Sequence, residues 1–161
     1  MLPSEILRNE IEEKHNVDLK KYAWNDNLKQ EIFSTPLDDS IETYATTLKE
    51  IYEKGFNIGH CGLTSRYICR RFEDATLYYG KAKLLVGTKD SPNGEHAWTI
   101  LNNNVIDTTL MLCIPKEKAK ELGYNIEKEI IPYCARVLSE YDTYDMEFEN
   151  EKGKQNNIKT K

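Results

Sequence analysis

The sequence predicts an α+β fold, and three observations carry that reading. Up to Phe72 most apolar residues recur at helical spacing. From Thr76 to about Leu112 the pattern changes to short runs rich in β-branched and aromatic residues. Pro115 then opens a charged stretch that reads as helix again. Helices, a strand meander and further helices are the order of an α+β domain.

In residues 4–15, Ile6, Leu7 and Ile11 mark a helix, with Ser4 as its N-cap. Residues 16–38 are mixed; Trp24, Ile32 and Phe33 are the packing candidates, and Pro36 interrupts the chain. "DDSIETYATTLKEIYEKG" is the clearest helix signal. Asp39 and Glu42 suit a capping box, Ile41 to Tyr52 form an apolar stripe, and Gly55 supplies a left-handed stop. After "FNIGH", the positions Leu63, Tyr67, Ile68 and Phe72 continue at helical spacing, so Cys61 falls at a helix start. "TLYYG", "KAKLLVGT", "HAWTIL" and "VIDTTLML" read as strands, with Tyr78 and Tyr79 on opposite faces. A helix is expected from Pro115 to Leu122 and another through "IIPYCARVLSEY", with Pro132 near its start. One domain therefore spans 1–144: a helical section 1–55, a core 56–114 and C-terminal helices 115–144. Residues 145–161 hold little to bury and are expected to form a flexible tail.

The 161 residues are enough for one domain with a sizeable core. Charged residues make up 30% of them, the net charge is −5 and the pI about 5.3, a balance that argues against a general nucleic-acid binder. No apolar run is long enough to span a membrane, and the first residues lack the pattern of a secretory signal, so a cytoplasmic protein is expected. The four cysteines, at 61, 69, 113 and 134, form no CxxC pair. A zinc site of His60, Cys61 and His96 is set aside because no spaced ligand pair accompanies it. No metal or cofactor is expected.

Cys61 stands between Gly59 and Gly62 at a helix start. A helix N-terminus offers unpaired N–H groups and a partial positive charge, both of which favour a thiolate. The Cys61 N–H is also placed to receive an oxyanion. Taken alone, Cys61 reads more readily as a small apolar filler at a helix start. His96 and Asp107 change the balance. An acid inside the apolar "VIDTTL" is costly unless something pairs with it. If a two-residue turn at Asn102–Asn103 joins the strands, Leu101 pairs with Asn104 and Trp98 falls opposite Asp107. His96 and Asp107 then become diagonal neighbours on one face, roughly 7–8 Å apart at the backbone. Asn tolerates the left-handed conformation such a turn requires. A three-residue turn would put Asp107 on the other face. Asn57 is a further candidate as an oxyanion donor, although a loop Asn is commonly structural. Trp98 is a candidate for lining the substrate site or packing beside it.

"GHCGLTSRYICRRF", the strand "YYGKAKLLVG" and "GEHAWTILNNNVIDTT", in that order, resemble the transglutaminase-like superfamily of papain-like thiol enzymes. The resemblance covers residues 59–109, about a third of the chain. It departs from the family where Leu63 and Thr64, not tryptophan, follow the cysteine, and where Thr108 replaces the common proline. It implies a papain-like core, with the cysteine helix packed on a small antiparallel sheet and Cys61, His96 and Asp107 as a triad. The implied activity is acyl transfer from an amide of a protein or peptide through an acyl-thioester, with peptidase or amidase action as the first expectation. A protein-glutamine transglutaminase or deamidase is the alternative, and an inactive papain-like binding module is the rival from another class.

Overall fold

The computed structural model describes residues 1–37 and 45–130. It is α+β, with a five-stranded antiparallel sheet and helices on both faces. The elements, in chain order, are α1 (Pro3–His15), α2 (Asp26–Phe33), α3 (Leu48–Lys54), α4 (Cys61–Arg71), β1 (Thr76–Ala82), β2 (Glu95–Leu101), β3 (Asn104–Asp107), β4 (Leu112–Pro115), α5 (Lys116–Glu121) and β5 (Tyr124–Ile130). The sheet order is β4-β3-β2-β1-β5. Among the described residues, no helix is long and apolar enough to cross a membrane.

Two apolar clusters sandwich the sheet. Leu77, Tyr79, Ala97 and Ile106 point to one face and meet α2, α3 and the whole length of α4. Trp98, Val105, Leu112 and Tyr124 point to the other, where Ile11 of α1, Leu19, Leu84, Leu85 and Ala119 of α5 cover them. Tyr78 and Tyr79 divide between the two faces as a strand requires. With packing on both sides, α4 buries every residue from Cys61 to Cys69.

The β2–β3 hairpin has the register expected from its two asparagines. Leu101 pairs with Asn104, Ile100 with Val105 and Thr99 with Ile106, while Asn102 and Asn103 sit at φ of 52° and 62°. Two consecutive positive φ values give the turn the twist that neighbouring strands need. Gly55 ends α3 in the left-handed conformation, as expected.

Several boundaries differ from the sequence reading. Ser4 is not a cap; α1 starts at Pro3, and the Glu5 carboxylate reaches back to accept from the Leu2 N–H at 2.9 Å. Within the described part of the clearest predicted helix, α3 starts at Leu48. Ala45–Thr47 are not helical because this segment pairs with the chain around Pro36, where Leu37 N–H donates to Thr46 and Leu48 N–H to Thr35. Glu50 takes the local cap, accepting from the Thr46 N–H and hydroxyl. The mixed stretch contains α2, capped by the Asn25 side chain on the Leu28 N–H at 2.8 Å. "KAKLLVGT" leaves the sheet at Lys83–Leu85 in a 3₁₀ turn, since Leu84 and Leu85 both enter the core and a strand would send them to opposite faces. "VIDTTLML" is broken after Asp107 into β3 and β4. The C-terminal section is not all helix: α5 forms as expected, but Tyr124–Ile130 is a strand on the open edge of β1. The capping box at Asp39 and Glu42, the helix expected beyond Ile130 and the tail 145–161 lie outside the described residues.

Candidate active site

Cys61 is the first residue of α4, and His60 occupies the N-cap. Its sulfur accepts a hydrogen bond from the Ala97 N–H of β2 at 3.3 Å. This backbone donor next to His96 is not readable from spacing, because it depends on how α4 crosses the sheet. The Cys61 N–H belongs to the first helical turn and has no intrahelical acceptor.

His96 lies one residue before that donor. Its Nε2 meets Asp107 Oδ2 at 2.9 Å, and the ring shares a cleft with Cys61, near enough for the two to act on each other's charge. With Nε2 engaged by the carboxylate, Nδ1 is the nitrogen left for the sulfur. The three side chains thus form one line, in which Cys61 is 3%, His96 1% and Asp107 0% exposed. So little water leaves the groups to set one another's charge. Burial alone would lower the His96 pKa; the negative charges of Asp107 and Cys61, with hydrogen bonds to both, push it up to about 10. Burial alone would raise the Asp107 carboxyl, but the His96 charge and hydrogen bonds from His96, Tyr124 and Leu110 hold it below the usual carboxylate value.

Asp107 accepts from four donors. Oδ2 takes His96 and the Tyr124 hydroxyl, at 2.9 and 2.6 Å. Oδ1 takes the N–H groups of Thr109 and Leu110, at 2.8 and 2.9 Å. The second pair is an Asx-type turn, which is why β3 stops at Asp107. The acid that orients the histidine therefore also turns the chain. Thr108, next along, is tied down from three sides. Its carbonyl accepts from the Tyr52 hydroxyl at 2.7 Å and from Asn57 Nδ2 at 3.0 Å, and its hydroxyl meets that of Thr64 in α4 at 2.7 Å.

That arrangement redirects Asn57. Its amide N–H groups are spent on Thr108 and on the Ser4 hydroxyl, the latter at 2.8 Å, so they are not directed at an oxyanion. Asn57 is structural, joining α1 to the turn after Asp107. Trp98 shares the His96 face, with ring centroids 6.0 Å apart, and stands edge-on to Tyr124. It is fully buried and does not line the cleft at Cys61, so it packs behind His96. Tyr124 escaped the sequence reading. Its only signal was the alternation of Tyr124 and Ile126 with polar residues in "YNIEKEI".

A narrow cleft opens beside Cys61 and His96. Leu7 of α1 and Leu85 form apolar walls, Gly59 supplies the floor, and Thr88, Asp90 and Ser91 form the outer rim. Among the described residues, no group of three or more His, Cys, Asp or Glu side chains is placed to hold a metal ion. No protein family, curated protein or solved structure matches the chain.

Proposed function

We propose that the protein is a cysteine-dependent acyl-transfer enzyme of the transglutaminase-like, papain-like kind, acting on an amide of a protein or peptide. What supports the reading is the buried line from Asp107 through His96 to a sulfur that also receives the Ala97 N–H. A filler cysteine gains nothing from an adjacent imidazole whose Nε2 is held by a carboxylate that accepts from four donors.

In this reading the Cys61 thiolate adds to the amide carbonyl, and the first N–H groups of α4 receive the developing oxyanion. His96, as imidazolium, gives its proton to the departing amine as the C–N bond breaks, leaving an acyl-thioester. Water then attacks the thioester, His96 takes a proton from it, and the Cys61 sulfur leaves. Asp107 holds the imidazole in orientation and stabilises its charged form without taking the proton. Hydrolysis is the favoured outcome because water is the default acceptor; resolution by an amine is the alternative.

Mass spectrometry of protein substrates incubated with the enzyme tests this directly. Cleavage supports a peptidase, a one-dalton gain per glutamine a deamidase, and an isopeptide cross-link a transglutaminase. A catalytically idle binding module gives none of these and shows no Cys61-dependent labelling by an electrophilic activity probe, with Cys61→Ser as the control.

A further inference from the structure

We infer that Asp90 selects for substrates carrying a positive charge beside the attacked carbonyl, such as an amide flanked by a lysine or arginine side chain. The inference rests on Cys61 being the nucleophile and adds the chemistry of what reaches it.

Asp90 lines the cleft at Cys61 and His96, and it is the one carboxylate there; apart from Cys61 and His96 themselves, the rest of the lining is apolar, hydroxylic or glycine. Its carboxylate lies over the backbone two residues before the nucleophile: a Cβ built on Gly59 would sit 3.4 Å from Asp90 Oδ1. The rim is otherwise occupied with itself. The Thr88 hydroxyl donates to Leu85 O at 2.7 Å and accepts from the Ser91 N–H, while the Ser91 hydroxyl donates to Glu95 O at 2.9 Å. Gly87 N–H to Pro92 O and Gly94 N–H to Ser91 O close the loop on both sides. The loop is thus held in place, its hydroxyls are used, and Asp90 has neither hydrogen bond nor ion pair among the described residues. An exposed carboxylate carried on a held loop, at a mouth with apolar walls, attracts a cation and repels an anion, and a pre-positioned loop adds little ordering cost on binding.

Three small methanethiosulfonates of different charge test this without a known substrate, their size differences cancelling between wild type and variant: the methyl (neutral), aminoethyl (cationic) and sulfonatoethyl (anionic) reagents. Each forms a disulfide with the Cys61 thiolate and releases methanesulfinate. Rates at Cys61 are read by peptide mass spectrometry on the full-length protein at low salt. The cation-to-anion rate ratio is expected to fall roughly 5–20-fold in Asp90→Asn, to fall further in Asp90→Lys, and to stay at the wild-type value in Glu31→Gln, an equal charge change on the remote α2. Raising salt should shrink the wild-type ratio toward that of Asp90→Asn. A ratio unchanged in both Asp90 variants overturns the selectivity while leaving Cys61 as nucleophile. If the neutral reagent modifies Cys61 no faster than the buried Cys69, the nucleophile reading fails and the selectivity falls with it.

Discussion

At the scale of single residues, Asp107 is an orienting acid and a turn-maker at once, so its replacement has two measurable costs. An Asn keeps one acceptor oxygen for the Thr109 and Leu110 N–H groups, but it turns an NH₂ toward His96 Nε2 and the Tyr124 hydroxyl, where Oδ2 now accepts. Asp107→Asn should therefore lower stability by about 1–3 kcal/mol in urea titration and slow acylation of Cys61 per folded molecule on the order of 10²–10⁴-fold. Intact acylation with lost stability would reduce Asp107 to its turn. Tyr124→Phe is the milder probe, because it removes one of four donors and leaves the ring. A stability loss of about 1–2 kcal/mol, with an altered pH profile of Cys61 labelling, is expected; a merely structural tyrosine leaves the profile unmoved. Cys61 itself should alkylate faster than Cys69 and Cys113 at pH 6–7, since it starts α4 beside His96 and burial raises the Cys113 thiol. Uniform rates count against the triad. The His96–Asp107 pairing was legible because an acid inside an apolar strand calls for a partner and the two-asparagine turn puts His96 on its face; Cys61 alone carried no such signal. The donors were not: the Ala97 N–H, the Tyr124 hydroxyl and the clamps on Thr108 come from elements distant in sequence, and spacing carries no information on them.

At the scale of elements, what could be read were features closed by neighbouring residues. The Asn102–Asn103 turn fixed the β2–β3 register because few residues accept two left-handed positions in a row. Lost from view were elements whose ends are decided by a competing partner. The start of α3 is taken by pairing with Thr35 and Leu37, and the end of β3 by a carboxylate's hydrogen bonds. The strand β5 was hidden because "EKE" within it reads as solvated charge, and because its partner β1 lies more than forty residues upstream. Gly80 shows how tightly that pair is fitted. Register shifts between Tyr79 and Gly80, and a Cβ at 80 would overlap the Asn125 carbonyl. Gly80 also stands opposite His96 on β2. Gly80→Ala should push β5 outward, cost about 1–3 kcal/mol, and loosen the Tyr124 bond to Asp107. The check is urea stability together with Cys61 labelling, in both the single variant and the double with Tyr124→Phe. If the Tyr124 bond transmits the damage, the two changes should be less than additive in labelling rate. Strict additivity would uncouple β5 from the site.

At the scale of the whole molecule, the N-terminal section proves inseparable from the site, although nothing in its periodicity says which surface it covers. Ile11 completes one core cluster, Arg8 donates to Leu110 O at 3.3 Å, Ser4 accepts from Asn57, and Leu7 walls the cleft. The buried triad consequently links folding to pH. His96, ordinarily near 6.5, is pushed up to about 10 in the folded protein. Below pH 6.5 it is protonated whether the chain is folded or not, so the stability from its charged interactions is fully present there. As pH rises the unfolded chain releases the proton while the folded chain keeps it, and the contribution drains away until the folded pKa of about 10. Asp107 has the opposite sign: held below its ordinary 3.8, its contribution is present above that value and lost as pH falls through the lowered one. The stability difference between wild type and His96→Gln, measured by urea unfolding from pH 4 to 10, should thus be flat from about pH 4.5 to 6 and shrink steadily above it. Cys61 supplies part of the upward push on His96, through its charge and its hydrogen bond. In a Cys61→Ser background the decline should consequently end at a lower pH. A stability difference that stays level from pH 6 to 10 would mean that folding does not raise the proton affinity of His96, and one that rises would mean that folding favours the neutral ring; either removes the imidazolium the proposed mechanism needs.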